Sequence, residues 1–295
     1  MNHSEPYRSR RTALLAQLQA QGGGVAIVPT APEVMRNADA EYPYRHDSYF
    51  YYLTGFTEPE AVLVLQANTE TAHSILFCRA KDAERETWTG YRHGPEVART
   101  EFGFDTAFAI DALASEMPRL LANASKLFYA WGHSPALDLQ VQDWLQQVRA
   151  QARAGVSAPS TVQDVRVLLN EMRLFKDQHE ITLMQRAADI SAVAHVRAMR
   201  MARPGLHEYQ IEAELLHEFR IQGSQAPAYG SIVATGANGC VLHHPAGDSV
   251  LQDGDLVLID AACELDSYAS DITRTFPANG VFSAPQKRLY EIVLA

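Results

Sequence analysis

Cysteine is scarce in this 295-residue chain: three, Cys78, Cys240 and Cys263, odd in number and scattered. That excludes a disulfide framework and points to a reducing, cytoplasmic setting in which Cys240 and Cys263 serve as small buried residues. No apolar run is long enough to span a bilayer. The opening stretch MNHSEPYRSRRTALLAQLQAQGGG lacks an apolar signal core and a cleavage site. It reads as a short amphipathic helix stopped by glycines, with Arg8, Arg10 and Arg11 on a solvated face. Positive charge is in deficit, with 25 Lys and Arg against 35 Asp and Glu, a net charge of −10. Neither half is basic, which excludes a nucleic-acid surface. G-x-S-x-G, C-x-x-C and internal repeats are all absent.

What is present suffices for a real core. Hydrophobic residues make up 47% of the chain, and its length suggests two domains. From residue 24 to about 155, strand-like runs (GGVAIVPT, EAVLVLQ, HSILFCRA, KLFYAWG) alternate with helical patterns (LASEMPRLLANA, ALDLQVQDWLQQVRAQARAG). Residues 68–71 fit a turn. Strand and helix in alternation predict an α/β layer. A boundary rich in small and turn residues sets domains of 1–175 and 176–295. The second opens with a capping box, Asp177 and Glu180, and continues on helical spacing through Ile181, Met184, Ala188, Ser191 and Ala194. A helix over EYQIEAELLHEFRIQG follows. The strand candidates YGSIVATG, GCVLHH, LVLIDAAC and SYASDITRTF then give an α+β pattern, and QKRLYEIVLA reads as a helix that has only begun.

Two carboxylates interrupt the last strands. Around Asp260, Leu258 and Ala262 share its face, while Val257, Ile259 and Ala261 take the other, so this strand is expected to be covered on both sides. A symmetric turn centred between Leu265 and Asp266 sets Asp271 directly opposite Asp260. Like charges so placed are destabilising. A bound divalent cation relieves them, as does a shared proton. An odd turn or bulge that sends one of them to solvent avoids the conflict.

His243 and His244, after a strand, fit a ligand, a general acid/base or an oxyanion donor, or an ordinary polar strand end. His195, His207 and His217 fall in helical patterns, as surface or cap residues. Asp253 and Asp255 flank Gly254 as turn residues, and GANG reads as a turn. Trp88 fits an interface, a substrate rim or packing.

IDAACELDSYASDITRTFP resembles the first metal-ligand segment of the pita-bread metallopeptidases, family M24. RNADAEYPYRHDSYFYYLTGFTEPEAVLVL, EMRLFKDQHEI, RPGLHEYQIEAELLHEF and GANGCVLHH are similar, in order, to its aminopeptidase P branch. The resemblance implies an α/β creatinase-like N-terminal domain and an α+β pita-bread domain, the latter incomplete. It implies two divalent ions, typically Mn²⁺, that activate water for attack on an Xaa-Pro bond. Asp260 and Asp271 match the first two metal ligands, Asp271 bridging both ions. His243 matches a catalytic histidine that contacts substrate or the tetrahedral intermediate. The family's remaining ligands, a histidine and two glutamates, have no counterpart after Asp271, where only Glu291 is acidic. The chain is therefore expected to be truncated within the catalytic domain and inactive alone. Proline-containing peptides are the implied substrates, and a homodimer or homotetramer the implied assembly. A prolidase-type dipeptidase and a non-catalytic oligomerisation scaffold are the other readings.

Overall fold

The computed structural model describes residues 4–295, so Met1, Asn2 and His3 of the N-terminal stretch lie outside the described residues. The chain divides into two units between Phe175 and Lys176. The first runs α1 (Glu5–Ala20), β1 (Gly24–Pro29), β2 (Met35–Asn37), β3 (Ala40–Glu41), α2 (Ser48–Thr54), β4 (Val62–Ala67), β5 (Ala72–Cys78), α3 (Ala83–Thr89), α4 (Gly94–Phe102), β6 (Thr106–Ala109), α5 (Leu113–Leu121), β7 (Lys126–Tyr129), α6 (Pro135–Arg149), β8 (Thr161–Gln163) and α7 (Arg166–Leu174). Six strands form one sheet in the order β6-β5-β4-β1-β7-β8, with β4 antiparallel to both neighbours and the other pairings parallel.

Alternation sorts each strand between two cores. Val25 and Ile27 of β1 pack with Met117, Val141 and Trp144 of α5 and α6. Ala26 and Val28 pack on the opposite face with Leu14, Leu18, Phe50 and Leu169. Helices on both faces explain the unbroken apolar runs. Gly24 lets β1 approach β7, because a Cβ there would meet the Lys126 carbonyl oxygen at 2.6 Å. The turn at residues 68–71 closes where the Asn68 side chain accepts from the amides of Glu70 and Thr71.

Arg10 and Arg11 are not on a solvated face; both are buried, Arg11 to 1% exposure. Tyr7, Arg11, Leu14 and Leu18 form one buried stripe of α1, and that spacing overrides the charge. The Arg11 guanidinium donates to Leu53 O (2.9 Å), Phe102 O (2.8 Å) and Gly103 O (2.7 Å) and lies over the Phe104 ring. These carbonyls end α2 and α4, where the helix leaves acceptors without partners and a partial negative charge. Burial pushes the Arg11 pKa down to about 10, against the pull of Asp105, so the side chain stays charged at neutral pH.

The second unit runs α8 (Gln178–Met201), α9 (Glu208–Ile221), β9 (Ala226–Pro227), β10 (Ile232–Thr235), β11 (Leu256–Asp260), β12 (Cys263–Leu265), β13 (Tyr268–Ala269), β14 (Thr273–Pro277) and α10 (Ala284–Leu294). Its small sheets are β10-β11-β14 and β13-β12-β9. Asp177 and Glu180 form the capping box of α8, each side chain accepting from the other residue's amide at 2.9 Å. The buried stripe of α8 starts later than the spacing from Ile181 suggested. Ile181 and Met184 are exposed, and Ala187, Ile190, Ser191, Ala194, His195 and Ala198 are buried. That stripe packs with Ile211, Leu215 and Phe219 of α9 and with Val257, Ile259 and Cys263.

Further expectations are corrected, the burial of Cys240 among them. GCVLHH is not a strand: residues 236–240 make a 3₁₀ turn, and Cys240, Val241 and Leu242 are exposed. Gly236 takes a left-handed conformation, φ 55°, so the chain leaves the sheet immediately after β10. β11 is fully buried only on its Val257 and Ile259 face; Leu256, Leu258 and Asp260 are half-buried. Among the described residues, no helix is long and apolar enough to cross a membrane.

Arg11→Met keeps an unbranched apolar stem and removes every donor. Leaving three carbonyls short of a partner is expected to cost about 3 kcal/mol. All three tryptophans (Trp88, Trp131, Trp144) precede residue 176, so urea unfolding followed by tryptophan fluorescence reads the first unit. An unchanged midpoint would show that these carbonyls do not depend on Arg11.

Candidate active site

The turn that sets the register is Asp266-Ser267, with φ of 46° and 70°. Positive φ at both central residues is the signature of a primed two-residue hairpin turn. Leu265↔Tyr268 and Glu264↔Ala269 pair directly above it, and Asp260↔Thr273 pair farther along. The expected register, with Leu265 inside the turn and Asp260 opposite Asp271, is therefore wrong. Leu265 is buried to 2% exposure and its branched side chain disfavours positive φ. Asp271 lies diagonal to Asp260, two residues from its direct partner. The side-chain period of two still puts both carboxylates on one face.

A phenol joins them. Tyr229 Oη donates to Asp260 Oδ1 and lies 3.1 Å from Asp271 Oδ1. Its single hydrogen serves one carboxylate at a time, so the repulsion is eased rather than cancelled. Burial first, then the two carboxylates, push the Tyr229 phenol well above its ordinary pKa, which keeps it a donor. Asp260, Asp271, Tyr229, His243 and Glu212 line a cleft of about 580 Å³. Glu212 faces it from α9, and burial raises the pKa of its carboxyl. Among the described residues, no group of three or more His, Cys, Asp or Glu side chains is arranged to hold a metal ion.

The histidine loop is held from behind. Pro245 forms an isolated antiparallel bridge with Ile232, and Ile232 pairs with Asp260, so the loop runs beside the aspartate's own row. His243 is exposed on the cleft. His244 turns away, its Nε2 2.8 Å from Glu208 Oε2. Glu208, fully buried, also accepts from Thr235 N (2.8 Å), Asn238 Nδ2 (2.9 Å) and Gly247 N (3.1 Å). Burial opposes the charge on Glu208, but these donors outweigh it and hold the carboxyl below its ordinary pKa. One side chain thus anchors both ends of the loop that carries His243.

His195 is no surface residue. It is 3% exposed, with Nε2 2.9 Å from Ala261 O. His207 is the N-terminal cap of α9, as its position suggested, and His217 is exposed. Asp255 accepts from Thr235 Oγ1 and Gln252 N, and Asp253 from Asn279 Nδ2, consistent with turn roles. Trp88 is 84% exposed on α3 in the first unit, which removes the packing reading. Sequence reasoning missed Tyr229, Glu208 and the burial of His195. Tyr229 carries no local signal. Glu208 does, because it continues the stripe Ile211, Leu215, Phe219 by helical spacing.

Two outcomes are expected. In metal-free buffer Asp271→Asn removes one of two like charges and keeps an acceptor for Tyr229, so the urea midpoint should rise slightly; a fall would show that repulsion does not govern the hairpin. For Glu208 the lowered pKa sets the sign. The stability it contributes is full above the ordinary carboxyl pKa of 4.5 and is lost as pH falls through the lower folded value. Glu208→Gln should lower stability at pH 7 and flatten the loss between pH 5 and 3, read by circular dichroism during unfolding. Parallel acid limbs for the two proteins would contradict this.

Comparison with known proteins bears on both units. Residues 7–129 match the aminopeptidase P N-terminal domain, and residues 182–295 match metallopeptidase family M24. The chain is 45% identical to the Xaa-Pro aminopeptidase of Escherichia coli K12 over 291 residues, 98% of this chain and 66% of the relative. It is 32% identical to human Xaa-Pro aminopeptidase 3, covering 98% of this chain and 58% of that one. Among solved structures it resembles E. coli aminopeptidase P in complex with substrate (TM-score 0.95, 44% identity, covering 99% of this chain and 66% of that one). It also resembles proline aminopeptidase P II of Yersinia pestis (TM-score 0.95, 47% identity, 99% and 66%). The chain thus spans just under two thirds of the length of the E. coli relative. With an α/β unit that matches the first family and an α+β unit that matches the second, this chain belongs to the aminopeptidase P branch of metallopeptidase family M24.

Proposed function

We propose that this chain supplies the N-terminal domain and the first metal-binding strands of an Xaa-Pro aminopeptidase, a hydrolase that releases the first residue of peptides with proline second. Residues 1–175 are the creatinase-like domain and residues 176–295 the first part of the pita-bread domain. The observation that carries this reading is the placement of Asp260 and Asp271 on one face of a hairpin, bridged by Tyr229 and sharing a cleft with His243. The donor set fits the cofactor in kind: carboxylate oxygens suit hard or borderline divalent ions, Mn²⁺ above all in this reading. It fits less well in number, because such ions take four to six donors and two side chains provide only part of that.

When bound, the ions lower the pKa of a water and polarise the scissile carbonyl. The chain's own residues do the rest of what is proposed here. Asp260 and Asp271 hold the ions. His243, on a loop fixed by Glu208 through His244, reaches into the cleft to contact the substrate and to stabilise charge that develops on its carbonyl oxygen. Glu208 keeps His244 from swinging into the cleft, so the two adjacent histidines have separate tasks. The assembly is a homodimer or homotetramer, and the setting is cytoplasmic.

The test uses purified 1–295, titrated with Mn²⁺ and offered an Xaa-Pro dipeptide and longer Xaa-Pro peptides. Weak Mn²⁺ binding that disappears in Asp260→Ala is expected, with turnover near background. Turnover equal to that of the E. coli enzyme would overturn the view that two carboxylates are too few. Cleavage confined to the dipeptide would favour a prolidase-type reading. A stable oligomer that binds no Mn²⁺ would favour a scaffold.

A further inference from the structure

We propose that helix α8 sets the spacing of Asp260 and Asp271, with Ser191 and His195 as positioning residues for the divalent-ion site. This rests on the reading above and concerns residues that touch neither the ion nor the substrate.

Ala187, Ser191 and His195 recur every four residues on α8, so they share one face. All three meet the hairpin in the stretch between the two aspartates. His195 Nε2 is 2.9 Å from Ala261 O. A carbonyl only accepts, so Nε2 carries the hydrogen. Burial lowers the His195 pKa, which agrees with a neutral ring. Ser191 Oγ accepts from Cys263 N (2.9 Å) and lies 2.8 Å from Ser270 Oγ. The carbonyl of Ala187 is 3.1 Å from Ser270 Oγ and 3.4 Å from Cys263 Sγ.

The placement of these ties matters more than their number. Ala261 follows Asp260 and Ser270 precedes Asp271, so each carboxylate-bearing strand is tied to α8 one residue from its carboxylate. The pairing of β11 with β14 ends at Asp260↔Thr273, and that of β12 with β13 begins at Glu264↔Ala269. In the gap the strands keep two backbone bonds to each other, Ala261 N to Ile272 O (3.2 Å) and Ser270 N to Cys263 O (3.1 Å), and Ser270 Oγ lies 3.2 Å from Cys263 O. The helix supplies more from behind. Because side chains alternate, the residues tied to α8 face the core and the aspartates face the cleft.

Packing alone does not account for these side chains. His195 and Ser191 are 3% and 0% exposed in a stripe that otherwise presents Ala187, Ile190, Ala194 and Ala198. His195 Nδ1 is buried and makes no hydrogen bond. A leucine would fill the space without that cost, since a buried polar atom left unpaired is destabilising. What the imidazole contributes, and a leucine cannot, is a donor fixed on the peptide that follows Asp260. Partners one layer removed from a metal commonly change affinity through the ligands they hold.

The experiment is Mn²⁺ titration of the 295-residue chain, followed by the electron paramagnetic resonance signal of the free ion. The proteins are wild type, Asp260→Ala, His195→Leu, His195→Gln and Ser191→Ala, each checked for folding by circular dichroism. His195→Leu and Ser191→Ala are expected to bind Mn²⁺ about tenfold more weakly, the low end for outer-layer partners. His195→Gln, which retains a donor, should recover most of the affinity. Folded His195→Leu with wild-type affinity would overturn the proposal, as would His195→Gln no better than His195→Leu. If His195→Leu does not fold, Ser191→Ala decides by the same criterion. If wild type shows no binding that Asp260→Ala removes, the metal reading falls and this proposal with it.

Discussion

Two carboxylates held on one face of a hairpin repel each other, and much of the second unit is arranged to keep them there. On the cleft side the Tyr229 phenol donates to Asp260 and lies 3.1 Å from Asp271. On the core side their neighbours Ala261 and Ser270 are bonded to α8. The same row of the sheet carries Ile232 and Pro245, which bring the loop of His243 alongside. Strand register is thus the variable on which the site depends. It is set by a two-residue turn whose residues tolerate positive φ.

That dependence explains why the aspartate pair was legible in the sequence even though the register was not. The expected pairing and the observed one differ by two residues along the partner strand. Because the side-chain period is two, such a slip leaves every side chain on its face; a slip of one would have sent Asp271 away from Asp260. The six-stranded sheet was legible for a related reason. Val25 and Ile27, Ala26 and Val28 alternate between two covered faces, so the strand reads as an apolar run. GCVLHH misled because a short apolar run between Gly239 and two histidines looks like a short strand, while Gly236 turns the chain out of the sheet and Leu242 is 89% exposed.

The residues that sequence reasoning misplaced or missed include polar groups on buried helical stripes. Arg11 sits on the stripe of Leu14 and Leu18, Glu208 on that of Ile211 and Leu215, and His195 among the buried alanines of α8. Composition argues for the surface in each case, and spacing argues for the core. Spacing prevails because the side chain finds backbone partners that would otherwise go unpaired. Arg11 serves the carbonyl ends of α2 and α4, and Glu208 serves the amides of Thr235 and Gly247. The signs match the groups served, a cation on carbonyls and an anion on amides. These contacts span large sequence separations, so no local pattern reveals them.

The Tyr229 bridge also bears on what an arriving ion meets. Carboxylates that were free to separate would have to be brought together against their repulsion before both could ligate. Here the hairpin, α8 and Tyr229 hold them together beforehand, so that ordering is already part of the fold. The phenol is a weak substitute for a cation: it brings one hydrogen and no net charge, whereas a divalent ion brings two charges and engages both carboxylates at once. The exchange therefore favours the ion at the two oxygens, and the shortfall lies in the other coordination positions, for which divalent ions take four to six donors in all. On the proposed reading, affinity in this chain would be limited by the number of donors and not by their organisation. The α8 contacts behind Asp260 and Asp271 then act, in the proposed site, on a geometry that exists without the ion.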